Sequence, residues 1–311
     1  MKKLTTYEDK NGNKYVPPPD DYESPMLGDV FGSQKLKDSL EEIMINIEKG
    51  DLFQMFGSKP YKSFIFSGPP GNGKTYTYKA LRNEVINCGN NVAPLAYDIG
   101  TYGTAYINEG AKILQNFFNS GHKLANDGYI VMYWFDEADV LMSKRGGSHS
   151  HKEDDKLLDC LMKNLQQINT YCEREYVFFA TNFIQAMDDA AIRSGRVDKI
   201  ITFEKPDQET RKQYLQYQIK QKNKTINELY QDGLGLFKKL NYNRLSELTD
   251  NFNFSDLNSL IDRSVRHNIR EMLHDDKIDI CLQIYETDII KVIDKMKEER
   301  DFKSNKRIGF V

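Results

Sequence analysis

The chain has 311 residues, 39% hydrophobic and 29% charged, which supplies a core and excludes disorder throughout. Lys plus Arg number 43 against 46 Asp plus Glu, a formal charge of −3, so no basic excess marks a dedicated binder of duplex DNA or anionic membranes. The longest apolar run, Tyr129 to Phe135, is seven residues, far short of the roughly 20 needed to cross a bilayer, and no membrane insertion is expected.

Behind its lysines, the segment Met1 to Thr6 has no apolar stretch, so no secretory leader is expected. Cys88, Cys160, Cys172 and Cys281 are scattered without a CxxC pair and read as reduced thiols of a cytoplasmic protein. Residues 1–25 are polar and carry Pro17-Pro18-Pro19-Asp20-Asp21, the composition of a flexible arm with a stiff extended stretch. From Ser33 to Ile47 the apolar residues Leu36, Leu40, Ile43 and Ile47 keep helical spacing.

Strand-like segments then alternate with helical ones. Phe64–Phe66, Val92–Tyr97, Tyr129–Phe135, Tyr176–Ala180 and Lys199–Phe203 are short and apolar on both faces, as in a buried parallel sheet covered by helices. After Pro206 the strand pattern stops. Asp207, Ser255 and Thr287 are candidate caps of three helices. The expected division is therefore an arm over 1–25, an α/β domain over 26–206 and a helical region over 207–311.

Gly68-Pro69-Pro70-Gly71-Asn72-Gly73-Lys74-Thr75 fits G-x-x-x-x-G-K-[ST] between a strand and a helix running from Tyr76. The prolines have no amide donors, so anion binding falls to the amides from Gly71 onward, which also open the helix and its positive end. Lys74 would reach the β and γ phosphates, and the Thr75 hydroxyl would hold Mg²⁺. This pattern makes the chain a nucleoside triphosphate binder.

The strand Tyr129–Phe135 ends in Asp136-Glu137. A carboxylate at such a tip can hold the Mg²⁺ shell, assigned to Asp136, while Glu137 polarises the attacking water. Asp136-Glu137-Ala138-Asp139 also spells the DEAD of an RNA-helicase family, but that family's companion motifs are missing.

With these motifs the sequence resembles the AAA family proper within the AAA+ ATPases, from about Asp29 to Val265. The resemblance implies a P-loop NTPase three-layer α/β sandwich with a five-stranded parallel sheet, followed by a small helical lid domain. Asp29-Val30-Phe31-Gly32 resembles the opening motif whose backbone lies against adenine, so Asp29 and Gly32 join Gly68 to Tyr76 as the nucleotide-contacting set. Asn182 resembles sensor 1, donating to the γ-phosphate and the nucleophile. Asp188 to Asp198 resembles the second region of homology, making Arg193 and Arg196 arginine fingers that reach a neighbouring subunit's ATP, a contribution of ~10³ or more in rate. Fingers acting in trans imply a homo-oligomer, most often a hexamer.

Ala105 to Gly110 resembles pore loop 1, with Tyr106 and Ile107 as substrate-contacting residues; Asn108 stands where a glycine is usual, and Tyr102-Gly103 offers a competing aromatic. Arg145 to His151 fits the second pore loop, and His149 and His151 read as solvated. In the helical signature Asn251 to Leu257, Phe254 replaces the glycine that approaches the nucleotide, while Arg263 and Arg266 read as surface charges. The reading is a cytoplasmic, Mg²⁺-dependent ATPase that remodels, disassembles or unfolds a protein partner or takes it from an adaptor. The alternatives are a nucleic-acid-linked AAA+ ATPase (a loader, a transposition regulator or a defence motor) and a nucleotide-gated scaffold.

Overall fold

Alternation within the strands decides the architecture. The computed structural model describes residues 7–8, 14–15, 25–97, 110–143, 152–188, 192, 196–230, 235–274 and 283–308. The chain divides into two compact units, Met1–Glu204 and Lys205–Val311.

In the first unit β3 (Ser63–Ser67), β4 (Val92–Tyr97), β5 (Ile130–Phe135), β6 (Glu175–Thr181) and β7 (Lys199–Thr202) form an all-parallel sheet of order β4-β5-β6-β3-β7. Ile65, Val131, Tyr133, Phe135, Val177 and Phe179 point into one apolar cluster. Their neighbours Phe64, Phe66, Met132, Trp134, Tyr176 and Phe178 point into another. With both faces covered, β3, β5 and β6 are buried at every position, which is the three-layer sandwich, while the edge strand β7 is partly exposed.

Helices α4 (Gly110–Asn126) and α6 (Lys152–Tyr171) supply Phe117, Phe118, Leu161 and Leu165 to the first cluster. Helices α1 (Gln34–Glu48) and α3 (Lys74–Asn87) bring Leu36, Leu40, Tyr78 and Leu81 to the second. Each such buried side chain contributes about 1.5–3 kcal/mol. Ser33 caps α1, its side chain accepting from Leu36 N at 3.3 Å. Tyr78 stacks on Trp134 at 4.5 Å and its hydroxyl donates to the Met132 carbonyl at 2.8 Å, which sets α3 against β5. The short helices are α2 (Gly50–Met55) and α5 (Ala138–Leu141). Within the stretch read as a polar arm, β1 (Tyr7–Glu8) and β2 (Lys14–Tyr15) pair antiparallel; the Pro17–Asp21 run lies outside the described residues.

The second unit holds α7 (Gln208–Tyr230), α8 (Tyr242–Leu248), α9 (Phe254–His274) and α10 (Glu286–Ile308). Asp207 caps α7, accepting from Thr210 N at 2.8 Å. Two expected caps are corrected. Helix α9 opens one residue before Ser255 with a reciprocal pair, in which Asp256 N donates to Asn253 Oδ1 at 2.7 Å and Asn253 N to Asp256 Oδ2 at 2.8 Å. Helix α10 opens before Thr287, with Tyr285 N donating to Asp288 Oδ2 at 3.0 Å. Phe254, expected near the nucleotide, packs edge-on against Tyr214 of the same unit at 4.8 Å. Arg263 pairs with Glu299 on the surface. No described helix is long and apolar enough to cross a membrane.

Candidate functional site

Parallel strands bring their C-terminal ends to one end of the sheet, and the sequence-identified residues cluster there. Beyond β3 the chain turns through Gly68 to Gly73 into α3. A Cβ at Gly68 would collide with the Phe203 carbonyl, so this loop can lie against the chain after β7 only with glycine there. Gly73, at φ 86° and with no side-chain cap, turns the loop so that the first amides of α3 open the helix free of a capping side chain. Asn72 is buried, its Nδ2 donating to the Phe203 carbonyl at 3.3 Å, and its Oδ1 has no hydrogen bond.

Lys74 is folded into the loop. Its Nζ donates to the Gly68 carbonyl at 2.6 Å, the Pro69 carbonyl at 3.1 Å and Asn182 Oδ1 at 2.8 Å. Burial pushes the ammonium below the usual lysine range, and the carboxylates of Asp136 and Asp139 pull it partly back. A desolvated ammonium held by neutral oxygens is poised to gain from an arriving phosphate.

Asp136 and Glu137 are exposed at the tip of β5, as is Thr75 on the first turn of α3. Glu137 has a left-handed backbone, φ 51° and ψ 42°, and its amide donates to Asp136 Oδ1 at 3.0 Å. That conformation breaks the strand and starts α5. Asp139 belongs to the same group, although sequence reasoning gave it no role. It accepts from Thr181 Oγ1 at 2.7 Å, and the same hydroxyl accepts from Phe183 N at 3.0 Å, bracketing Asn182. Its only signal was its place two residues after Glu137.

The donor set fits ATP with Mg²⁺. A glycine-lined turn, helix-opening amides and a lysine suit the triphosphate, while a hydroxyl and a carboxylate are the hard oxygen ligands Mg²⁺ takes. Tyr76 is half-buried beside the α1–α3 core. Asp29 closes a 3₁₀ turn (Leu27–Asp29), which is tied to the later part of α3 by Asn83 Nδ2 donating to the Pro25 carbonyl at 2.9 Å. Gly32 lies against Leu36, where a Cβ would press on the leucine side chain.

Arg196 lies elsewhere. Its carbonyl accepts from Ser63 Oγ at 2.9 Å and from Asn169 Nδ2 at 3.0 Å, so its backbone sits where β3 begins. Gly68 lies five residues along the strand from Ser63, about 16 Å at ~3.3 Å each. The fold therefore brings Lys74, Thr75, Asp136, Glu137 and Asn182 together and leaves Arg196 at the other end of the sheet. Arg193, Tyr106, Ile107, Tyr102-Gly103, His149 and His151 lie outside the described residues.

The family model described as "ATPase family associated with various cellular activities (AAA)" matches residues 64–205. The chain is 25% identical to the proteasome-activating nucleotidase of Methanothermobacter thermautotrophicus, over 86% of this chain and 59% of that protein. It is 28% identical to the 26S proteasome regulatory subunit 6A of Saccharomyces cerevisiae, over 75% and 49% respectively. Identity to the 26S proteasome regulatory subunit 4 homolog of the same yeast is 31%, over 58% of this chain and 39% of that one. The chain spans about half the length of the curated relatives it matches.

Proposed function

We propose that this chain, a member of the AAA family by its match over residues 64–205, is an oligomeric, Mg²⁺-dependent ATPase motor that remodels, disassembles or unfolds a protein partner. The observation that carries this reading is the convergence of Lys74, Asn182 and the Asp136–Asp139 carboxylates at one end of the sheet.

In this reading Lys74 exchanges its carbonyl partners for the β and γ phosphates, which releases Asn182 to orient the γ-phosphate and the attacking water. Thr75 and Asp136 would hold Mg²⁺, which would supply positive charge to offset that of the triphosphate. Glu137 takes the proton of the attacking water. Asp29, Gly32 and Tyr76 line the nucleotide's base side, and Gly68 to Gly73 wrap its phosphates.

The separation of Arg196 from its own phosphate loop supports its action, with Arg193, on the nucleotide of an adjacent copy. A guanidinium whose backbone sits about 16 Å along a strand is out of range of a phosphate held by its own loop. Such a shared site needs a ring or helix of chains, and a hexamer is the proposed assembly. Relatives named for the proteasome favour a polypeptide target, with Tyr106 and Ile107 as its contacts. The free thiols Cys88, Cys160 and Cys172 suit a cytoplasmic setting.

The test is phosphate release with Mg²⁺ across protein concentrations, alongside Mg·ATP-dependent unfolding of a tagged fluorescent protein. Specific activity rising with concentration and loss of fluorescence are the expected results. Hydrolysis without any effect on polypeptides, together with tight, salt-dependent binding of single-stranded DNA, would overturn the protein-remodelling reading in favour of a nucleic-acid-linked one.

A further inference from the structure

Away from the phosphate loop, at the opposite end of the sheet, three side chains from separate elements meet. His122 comes from α4, Cys172 from the turn after α6, and Glu175 opens β6. Their donor atoms all lie within 4.8 Å of one another. His122 Nδ1 is 2.8 and 2.9 Å from the two Glu175 oxygens and 4.0 Å from Cys172 Sγ. A tetrahedral zinc centre, with Zn–N and Zn–O of about 2.0–2.1 Å and Zn–S of about 2.3 Å, sets donor separations near 3.2–3.6 Å. The observed separations straddle that range.

The surroundings are built to hold these groups. Glu175 is 2% exposed, and Tyr133 OH donates to its Oε2 at 2.7 Å, orienting the carboxylate as outer partners do around metal ligands. Gly121, beside His122, has no room for a Cβ, which would strike the Tyr133 ring; its bareness lets α4 come this close. His122 Nε2 is buried without a hydrogen bond. Lys62, buried alongside, faces Cys172, Glu173, Glu175 and Asp198. Thiolate and carboxylate together balance a dication.

We infer that His122, Cys172 and Glu175 form a zinc site that clamps α4 to the α6–β6 turn, with water as fourth ligand. Thiolate with imidazole and carboxylate selects Zn²⁺ over Mg²⁺ or Ca²⁺. Binding releases the thiol proton to solvent and leaves His122 neutral with its one ring hydrogen on Nε2, so an imidazolium gives up its Nδ1 proton as well. Seven residues of β6 hold the cluster about 20 Å from Asn182, so the site is separate from ATP hydrolysis.

The test uses the full chain without a histidine tag, stripped by chelator and titrated with Co²⁺ in the absence of nucleotide. One Co²⁺ per chain with tetrahedral ligand-field bands and a thiolate-to-cobalt charge-transfer band is expected, displaced by Zn²⁺. Cys172→Ser should abolish the charge-transfer band and the rise in melting temperature on adding Zn²⁺, with Mg·ATP turnover unchanged. His122→Gln should weaken Co²⁺ binding roughly tenfold or more. Absence of the band in the unaltered chain overturns the inference whether or not the variants fold, and an undiminished band in Cys172→Ser assigns the metal to another thiol.

Discussion

Glu137 offers a test in which stability and activity move in opposite directions. Its backbone is left-handed, φ 51° and ψ 42°, a conformation that costs a non-glycine residue roughly 1–2 kcal/mol. The side chain is exposed, so the conformation places a carboxylate rather than filling the core. Glu137→Gly relieves the strain and gives back part of the gain as unfolded-chain entropy, leaving a stabilisation of about 1 kcal/mol. For a unit the size of Met1–Glu204, that raises the melting temperature by about 2–4 °C. Glu137→Gln keeps the strain and stays within about 0.5 kcal/mol of the parent. Neither variant retains a base for the attacking water, so turnover should fall by about 10² to 10⁴, a barrier increase of ~3–5 kcal/mol. Scanning fluorimetry, phosphate release and titration with a fluorescent ATP analogue give the three readouts, with nucleotide binding expected to survive in Glu137→Gln. Near-parental turnover in Glu137→Gln, or a Glu137→Gly chain less stable than the parent, would refute the reasoning.

Lys74→Met removes an ammonium that donates to Gly68, Pro69 and Asn182. Each charge-assisted bond lost to phosphate, worth ~1.5–3 kcal/mol, should weaken ATP binding by about 10- to 150-fold in the same titration. Arg193→Ala and Arg196→Ala should lower phosphate release without weakening ATP binding, and a fixed activity per chain on dilution to monomers would contradict catalysis in trans. Asp207 is held below the usual carboxylate range chiefly by the Thr210 amide. A depressed folded value means its stabilisation is present above the ordinary carboxylate pKa and lost as pH falls through the folded one. Asp207→Ala should therefore cost about 1 kcal/mol near neutrality, with the gap closing in acid, read by urea denaturation at both pH values. Arg211 is 5% exposed and donates to the Pro206 and Ser246 carbonyls. Arg211→Met strands those acceptors and should destabilise the helical unit by about 2–4 kcal/mol, measured by the same denaturation.

Much of the sheet was legible because a strand buried on both faces cannot hide. Ile130 to Phe135 is apolar at every position, and no exposed helix or loop tolerates that. Helix starts were less legible. Ser255 is a good cap by type, yet the reciprocal pair of Asn253 and Asp256 satisfies two groups at once and draws the helix start back onto Phe254. Helix α8 escaped notice because its seven residues are too few to display a period, and its cap is Asn241, which accepts from Arg244 N at 3.2 Å. The phosphate loop declares itself because its chemistry is contiguous in sequence. Asp139 does not, since its role depends on Thr181, 42 residues away. His122, Cys172 and Glu175 carry no spacing signature at all, because α4 and β6 bring them together only after the sheet has formed.

A parallel sheet has two unlike ends, and that asymmetry ties these observations together. Every strand delivers its C-terminal residue to the phosphate end, so loop amides, Lys74, Asp136 and Asn182 assemble there without any long-range pairing of motifs. The other end receives the strand starts, where Asp198 Oδ2 accepts from the amides of Lys62 and Ser63 at 2.8 and 3.0 Å and the Arg196 carbonyl is fixed by Ser63 and Asn169. The Arg196 backbone is held at that end by two elements, β3 through Ser63 and α6 through Asn169, away from the phosphate loop of its own chain. The proposed role for Arg196 is therefore on the nucleotide of an adjacent copy, and it predicts that the effect of Arg196 on catalysis changes with how copies are packed.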